Sequence, residues 1–153
     1  MGGILHGGLM LALIFLAGCR KQESGSKAAA APAAPPVEGA LVLTAEVAEI
    51  PGTFPANDLY NYAYIMKYKV VEVHKGEYAD PDILVGHYNP RMTRMEVKDD
   101  QDAKVGGNAK SFQVGDRHYL VLDNLDGIWS GAIEDEYYKD RRKRYWALWA
   151  DKL

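Results

Sequence analysis

Histidines are the side chains of this sequence best suited to acid–base chemistry or metal binding near neutral pH. Three of them, His74, His87 and His118, lie in segments rich in β-branched and aromatic residues. They could act together as bases or metal ligands if the fold brought them to one place. No H-x-H or H-x-x-x-H spacing supports a shared metal, so we predict that these histidines are structural.

Other residues with reactive side chains lack the context that their chemistry needs. Ser111 and Ser130 do not stand in the G-x-S-x-G turn that exposes a serine nucleophile. Asp99, Asp100 and Asp102 could bind calcium, but the segment lacks the glycine and the final glutamate of an EF-hand loop. We therefore predict no catalytic residue, no metal and no cofactor, and hence a protein that is not an enzyme.

A run of basic residues near the C-terminus is the most suggestive surface feature. It reads Arg141-Arg142-Lys143-Arg144 and is followed by two tryptophans. Such a surface could bind an anionic polysaccharide or lipid, or the arginine stems could simply lie over aromatic rings that pack on the core. The predicted partner-binding residues are Arg141, Arg142, Arg144, Trp146 and Trp149, with Tyr88, Arg91 and Arg94 as a second group.

Composition narrows the classes of partner. Hydrophobic residues make up 48% of the chain and charged residues 25%, as in ordinary folded domains. The formal net charge is −3, whereas a nucleic-acid-binding domain usually carries a basic excess. We therefore predict no nucleic-acid partner. An envelope protein or an anionic polysaccharide is the better expectation.

The single cysteine of the chain, Cys19, follows the apolar run Leu9–Ala17. A short apolar core with small residues before a cleavage site is typical of a secretion signal. The segment Leu16-Ala17-Gly18-Cys19 resembles the lipobox of bacterial lipoproteins, Leu-[Ala/Ser]-[Gly/Ala]-Cys. That resemblance implies cleavage between Gly18 and Cys19, diacylation of the thiol and usually a further acyl chain such as palmitate. An uncleaved membrane helix is the alternative, although it would need about 20 apolar residues.

The resemblance also implies where the protein works. We expect residues 1–18 to be a signal peptide, residues 19–39 a lipidated Ala/Pro-rich tether, and residues 40–153 a β-barrel domain with a C-terminal helix. Acylated Cys19 would hold the protein on a lipid bilayer of the bacterial cell envelope, with the domain in the periplasm or at the surface. The outer membrane is mildly preferred, because Arg20 is not the aspartate that retains some lipoproteins at the inner membrane.

Alternation of apolar and polar residues predicts β-strands over residues 41–50, 60–74, 82–88 and 117–123, and a short one over 128–133. In the second segment the apolar residues change parity after Val70, which indicates a β-bulge. Residues 134–153 are predicted to be helical. Favourable i,i+4 charge pairs there are Asp135–Lys139 and Asp140–Arg144.

Residues 60–123 resemble the OB-type barrel of netrin-like and metalloproteinase-inhibitor-like domains. The likeness lies in Val73-His74-Lys75-Gly76, Ile83-Leu84-Val85 and the segment Phe112–Val121. Inhibitors of that family use a free N-terminal cysteine held by disulfides, so a chain with one cysteine inherits the barrel and not the inhibition. More loosely, the chain is similar to small secreted domains that accompany alginate-type O-acetyltransferases.

The fold that we predict is mainly β: a small antiparallel OB-like barrel of about five strands with a C-terminal helix. The function that we predict is that of a membrane-anchored, non-enzymatic binding module. The alternative is an accessory subunit of an envelope system that O-acetylates or exports a polysaccharide.

Overall fold

The period-two segments of the sequence form strands in the computed structural model, which describes residues 2–3, 35–53, 60–90, 105–109 and 111–153. The chain divides into two compact units, residues 1–31 and 32–153. The predicted lipobox, including Gly18 and Cys19, lies outside the described residues, as do Arg91, Arg94 and the aspartates at 99–102. The second unit contains all the strands of the described residues.

The described residues of this unit form six strands and one short helix. The strands are β1 (Leu41–Glu49), β2 (Tyr62–Lys75), β3 (Asp82–Tyr88), β4 (Arg117–Asn124), β5 (Ala132–Glu134) and β6 (Arg144–Lys152), and the helix is α1 (Leu125–Ile128). With four residues, α1 is a single turn. No helix in the described part of the chain has the length and apolar character needed to cross a membrane.

Five of the strands close into a barrel. The sheet order is β1-β4-β6-β3-β2-β5, and an additional β1–β2 pairing joins the two sides. The β3–β6 pair is parallel, and the other barrel pairs are antiparallel. The predicted OB-like barrel of about five strands is therefore confirmed. β5 lies outside the barrel, parallel to the start of β2.

The length of β2 allows it to pair on both sides. Its first half pairs with β3, and its second half pairs with β1. Along the β1 ladder, Thr44 lies opposite Glu72 and Ala45 lies opposite Val70, so Val71 is left without a counterpart. This bulge stands where the apolar residues of the sequence change parity, as predicted. An extra residue of this kind bends a strand and increases its twist, which helps a small sheet to close.

The domain contains two hydrophobic clusters. One fills the barrel, and the other covers the outer face of β2, β3 and β6, so this part of the barrel wall is buried on both sides. Inward-facing residues fill the barrel, among them Leu43, Val85 and Leu120. The second cluster lies outside β2, β3 and β6, beneath the segment 125–138, and includes Ala63, Ile65, Leu84, Tyr88, Leu125, Trp129, Tyr138 and Trp146. Residues 105–109 extend the wall along β6, with Ala109 N–H donating to Ala150 O at 3.0 Å.

The predicted C-terminal helix is wrong. Residues 144–152 form β6, which closes the barrel between β3 and β4. Because both faces of this strand are covered, Ala147 enters the barrel core while Trp146 enters the outer cluster. Apolar residues on both faces blur the period of two and mimic a helical pattern. The predicted charge pairs are replaced by others, since Asp135 binds Arg144 and Asp140 binds Arg142.

Candidate functional site

The core of the barrel contains a polar cluster built from three strands. Tyr68 of β2 lies between His87 of β3 and His118 of β4, and none of the three has exposed surface. The Tyr68 hydroxyl is 2.9 Å from His87 Nε2 and 3.0 Å from His118 Nδ1. A hydroxyl donates one hydrogen, so it donates to one ring and accepts from the other. The ring of Phe112 covers both imidazoles, with centroids at 4.5 and 5.4 Å.

Burial governs the protonation of this cluster. It lowers the pKa of His118 from 6.5 to about 4, although the nearby carboxylate of Asp116 acts in the opposite direction. Burial likewise raises the pKa of Tyr68 well above its ordinary value. At neutral pH the histidine is therefore uncharged and the phenol keeps its proton. With no surface open to a substrate, these groups form an internal hydrogen-bond network that ties three strands together.

The third candidate histidine is not part of this network. His74 lies at the end of β2 on the outer surface, where Nε2 is 2.8 Å from Thr44 Oγ1 and the ring stacks on Tyr119. Across the described residues, no three His, Cys, Asp or Glu side chains are grouped so that they could hold a metal ion. The structure thus brings two of the three histidines together, on a shared tyrosine.

The outer face of β2 and β3 is the surface on which OB-type barrels commonly bind oligonucleotides and oligosaccharides. In this chain that face is filled by its own segment 125–138. Trp129 stacks on Trp146 with ring centroids 5.0 Å apart and an interplanar angle of 12°. Tyr88 packs against both tryptophans. Trp146 and Tyr88, predicted to bind a partner, are fully buried here and present no surface to one.

The basic run is largely occupied by internal contacts. Arg144 donates from Nε to Asp135 Oδ2 at 2.9 Å, and its other nitrogens donate to the backbone carbonyls of Tyr138, Asp140 and Arg142. Arg142 is held by Asp140, with Nη2 2.8 Å from Oδ2. Arg144 therefore ties the loop 135–143 to the start of β6, whereas Arg142 and Asp140 form a pair within the loop.

Four members of the predicted binding set in the described residues keep some exposure, and the side chains of Arg142 and Arg144 are 39% and 16% exposed. Arg141 is exposed, and Trp149 is half-buried against residues 105–109. Lys143, within the same run, lies over the ring of Tyr145 at 4.8 Å from its centroid. The basic surface left for an anionic ligand is thus small.

Replacing Arg144 with lysine should lower the free energy of unfolding by about 1–3 kcal/mol, as expected when partly buried hydrogen bonds from a charged donor are lost. A lysine can keep the ion pair with Asp135, but its single nitrogen cannot also span three carbonyls. Urea unfolding would measure the difference. Arg141→Lys is the matched control, because Arg141 is exposed, and equal losses in both variants would contradict this role for Arg144.

The barrel has two distinguishable ends. We call the end at which residues 39–41 enter β1 the near end, where Leu41 pairs with Leu122 and Val42 pairs with Lys75. The opposite end, where Glu49 pairs with Lys67, is the far end.

Exposed hydrophobic side chains are concentrated at the far end. Six large hydrophobic side chains are exposed in the described residues, and only Val71 lies midway along the barrel. The other five are Tyr60, Val114, Ile133, Tyr137 and Leu153.

At the far end, two exposed tyrosines lie beside carboxylates. The Tyr60 hydroxyl donates to Glu134 Oε1 at 3.1 Å. Tyr137 is 48% exposed, and its hydroxyl lies against Gly52, whose φ of +61° suits glycine. We call the set Tyr60, Glu134, Glu136 and Tyr137 the far-end patch. Ile133 is not part of it, because Ile133 pairs with Ala63 of β2 whereas Glu134 pairs with Tyr64, and successive side chains of a strand point to opposite faces.

Sequence reasoning missed both the tyrosine-centred cluster and the far-end patch. For the cluster a signal was present, because Tyr68, His87 and His118 share the parity of buried residues in their strands. For the patch no signal was present, since β5 and its neighbours show no clear period and their exposure depends on tertiary packing. Searches with protein-family models, curated proteins and solved structures found no match to this chain.

Proposed function

We propose that the protein is a lipid-anchored lipoprotein of the bacterial cell envelope whose barrel domain acts by binding a protein partner. The observation that carries the anchoring is Leu16-Ala17-Gly18-Cys19, with all four lipobox positions matched. Two or more acyl chains hold a protein stably on a bilayer, whereas one chain binds only marginally. The expected partners are thus the bilayer, through acylated Cys19, and an envelope protein.

The distribution of exposed side chains supports a binding role. The tether of residues 19–39 leads to the near end, and the exposed hydrophobic residues gather at the far end. A domain tethered at one end can turn the other toward a partner beyond the lipid surface. Tyrosine suits such a surface because it combines an apolar ring with a polar tip.

An accessory subunit of a polysaccharide O-acetylation or export system would also be a binding module. The identity of the partner therefore distinguishes an accessory subunit from a binding module that acts alone. A stoichiometric polysaccharide-modifying enzyme that co-purifies from membranes would favour the accessory role. Binding of an anionic glycan by the purified protein, with no partner enzyme, would instead favour a binding module that acts alone, with exposed Arg141 available to the glycan.

The anchoring is tested by intact-mass measurement of the protein purified from its native membranes. We expect the wild-type chain to begin at Cys19 and to carry the added mass of acyl chains. Cys19→Ala should retain residues 1–18 and carry no lipid. Ala17→Ser is the matched control, since serine satisfies the motif and should be processed normally. An unmodified Cys19 with an intact leader in the wild type would refute the proposal, and separation of inner from outer membranes would test the preference drawn from Arg20.

A further inference from the structure

The far-end patch combines exposed aromatic rings with negative charge. Tyr60 and Tyr137 are 47% and 48% exposed. Isolated exposed hydrophobic residues are ordinary, but neighbouring ones at one end of a small domain indicate an interaction surface. The ring of Tyr60 packs edge to face against buried Tyr62, which packs in the same way against buried Tyr64. The ring of Tyr60 is therefore supported by the core.

The carboxylates of this patch have no basic partner among the described residues. Glu134 accepts a hydrogen bond from Tyr60, and Glu136 is exposed. Asp135, between them in sequence, differs because Arg144 neutralises it. Burial raises the pKa of Tyr64 to about 12, and the nearby Tyr137, Glu134 and Glu136 add to the increase, so these groups lie around the same ring.

We propose that the far-end patch docks a basic segment, bearing arginine or lysine, of a protein partner. This inference rests on the proposed binding function and names the chemistry of its partner. A guanidinium is attracted both to a carboxylate and to the face of a tyrosine ring. Arginine and tyrosine are also the residues most enriched at the centres of protein interfaces. The patch offers both attractions side by side.

A second copy of the chain fits this surface less well than a foreign basic segment does. The most basic stretch of the chain is residues 141–144, and its Arg142 and Arg144 are already bound by Asp140 and Asp135. Pairing two copies through their patches would place like charges, Glu134 and Glu136, against each other. Charge complementarity therefore favours a different protein.

The test uses the full-length chain in micelles of an uncharged detergent. The probe is a fluorescein-labelled octapeptide of alternating arginine and glycine, and the matched probe has glutamate in place of arginine. Fluorescence anisotropy should show binding of the arginine peptide alone. The double change Glu134→Gln with Glu136→Gln should weaken that binding about tenfold, as should Tyr60→Ala with Tyr137→Ala.

The control variants alter exposed residues outside the patch. Glu72→Gln removes a carboxylate whose side chain is 68% exposed, and Val71→Ala trims an apolar residue that is 44% exposed. Both should leave binding unchanged. Circular dichroism should show that every variant is folded.

Two results would overturn the inference. One is that the arginine peptide does not bind, or that Glu72→Gln weakens its binding as much as the patch variants do. Equal weakening would mean that the peptide is attracted by the net charge of the protein and not by the patch. The other is sedimentation showing a dimer that the Glu134 and Glu136 changes disperse, which would identify a second copy as the occupant. Neither result bears on the mass of the processed chain, so failure here is distinguishable from failure of the lipid anchor.

Discussion

Replacing Trp146 with alanine should lower the free energy of unfolding by about 3–5 kcal/mol, the usual cost of truncating a buried tryptophan. The ring has no exposed surface and is stacked between the barrel wall and Trp129. Its removal would leave a cavity beneath the segment 125–138. Urea unfolding monitored by far-ultraviolet circular dichroism would measure the loss, and near-ultraviolet circular dichroism would report the disrupted tryptophan pair.

Two variants make that result specific. Trp146→Phe should cost less than alanine does, because the indole nitrogen of Trp146 has no hydrogen-bond partner in the described structure and only ring area is lost. Trp149→Ala, on the same strand but half-buried, should also cost less than Trp146→Ala. If Trp149→Ala proved the more damaging, the assignment of Trp146 to the core would be wrong.

Acid should destabilise the barrel through His118. In the unfolded chain this residue takes up a proton near pH 6.5, but in the folded barrel burial lowers its pKa to about 4. Between these values the unfolded state binds more protons, so stability falls as the pH falls. The His118 contribution is complete above about pH 6.5 and is lost by about pH 4, a change of about 3 kcal/mol at about 1.4 kcal/mol per pKa unit.

The measurement is the free energy of unfolding from pH 7 to pH 4 for the wild type and for His118→Gln. Glutamine can keep a hydrogen bond to Tyr68 but does not titrate. The difference in the free energy of unfolding between the two proteins at each pH therefore isolates the contribution of His118 from those of the carboxylates and the other histidines. His74→Gln is the matched control, because it makes the same substitution at the surface and leaves the buried His118 in place. Identical pH profiles for wild type and His118→Gln would contradict the effect of burial.

The strands were predictable where one face of each meets the core and the other meets solvent. β1 alternates in this way from Leu41 to Val47, and the parity change at Val70 correctly marked the bulge in β2. β3 was also predicted although both of its faces are buried, because its apolar run is short and bounded by turn residues, but β6 was not. In β6, Trp146 faces the outer cluster and Ala147 faces the barrel, so the alternation that reveals a strand is absent.

The candidate binding residues show the same limit. A basic run beside tryptophans looks the same in sequence whether its arginines are exposed to a ligand or bound by other residues of the chain. In the structure, Arg144 is paired with Asp135 and Arg142 is paired with Asp140, so neither guanidinium is free for a ligand. These pairings depend on how the loop 135–143 folds back. The predicted i,i+4 partners presupposed a helix that does not form.

The sequence by itself determined the expectation of a lipid anchor at Cys19, because that signal is a contiguous motif read before folding. It also determined the strand-rich class, because a period of two is a local property. Only the tertiary structure decided which aromatic residues are core and which are surface, and which histidines meet at Tyr68. Those outcomes depend on contacts between residues such as Tyr68 and His118, which are 50 positions apart. Such contacts exist only once the barrel has closed.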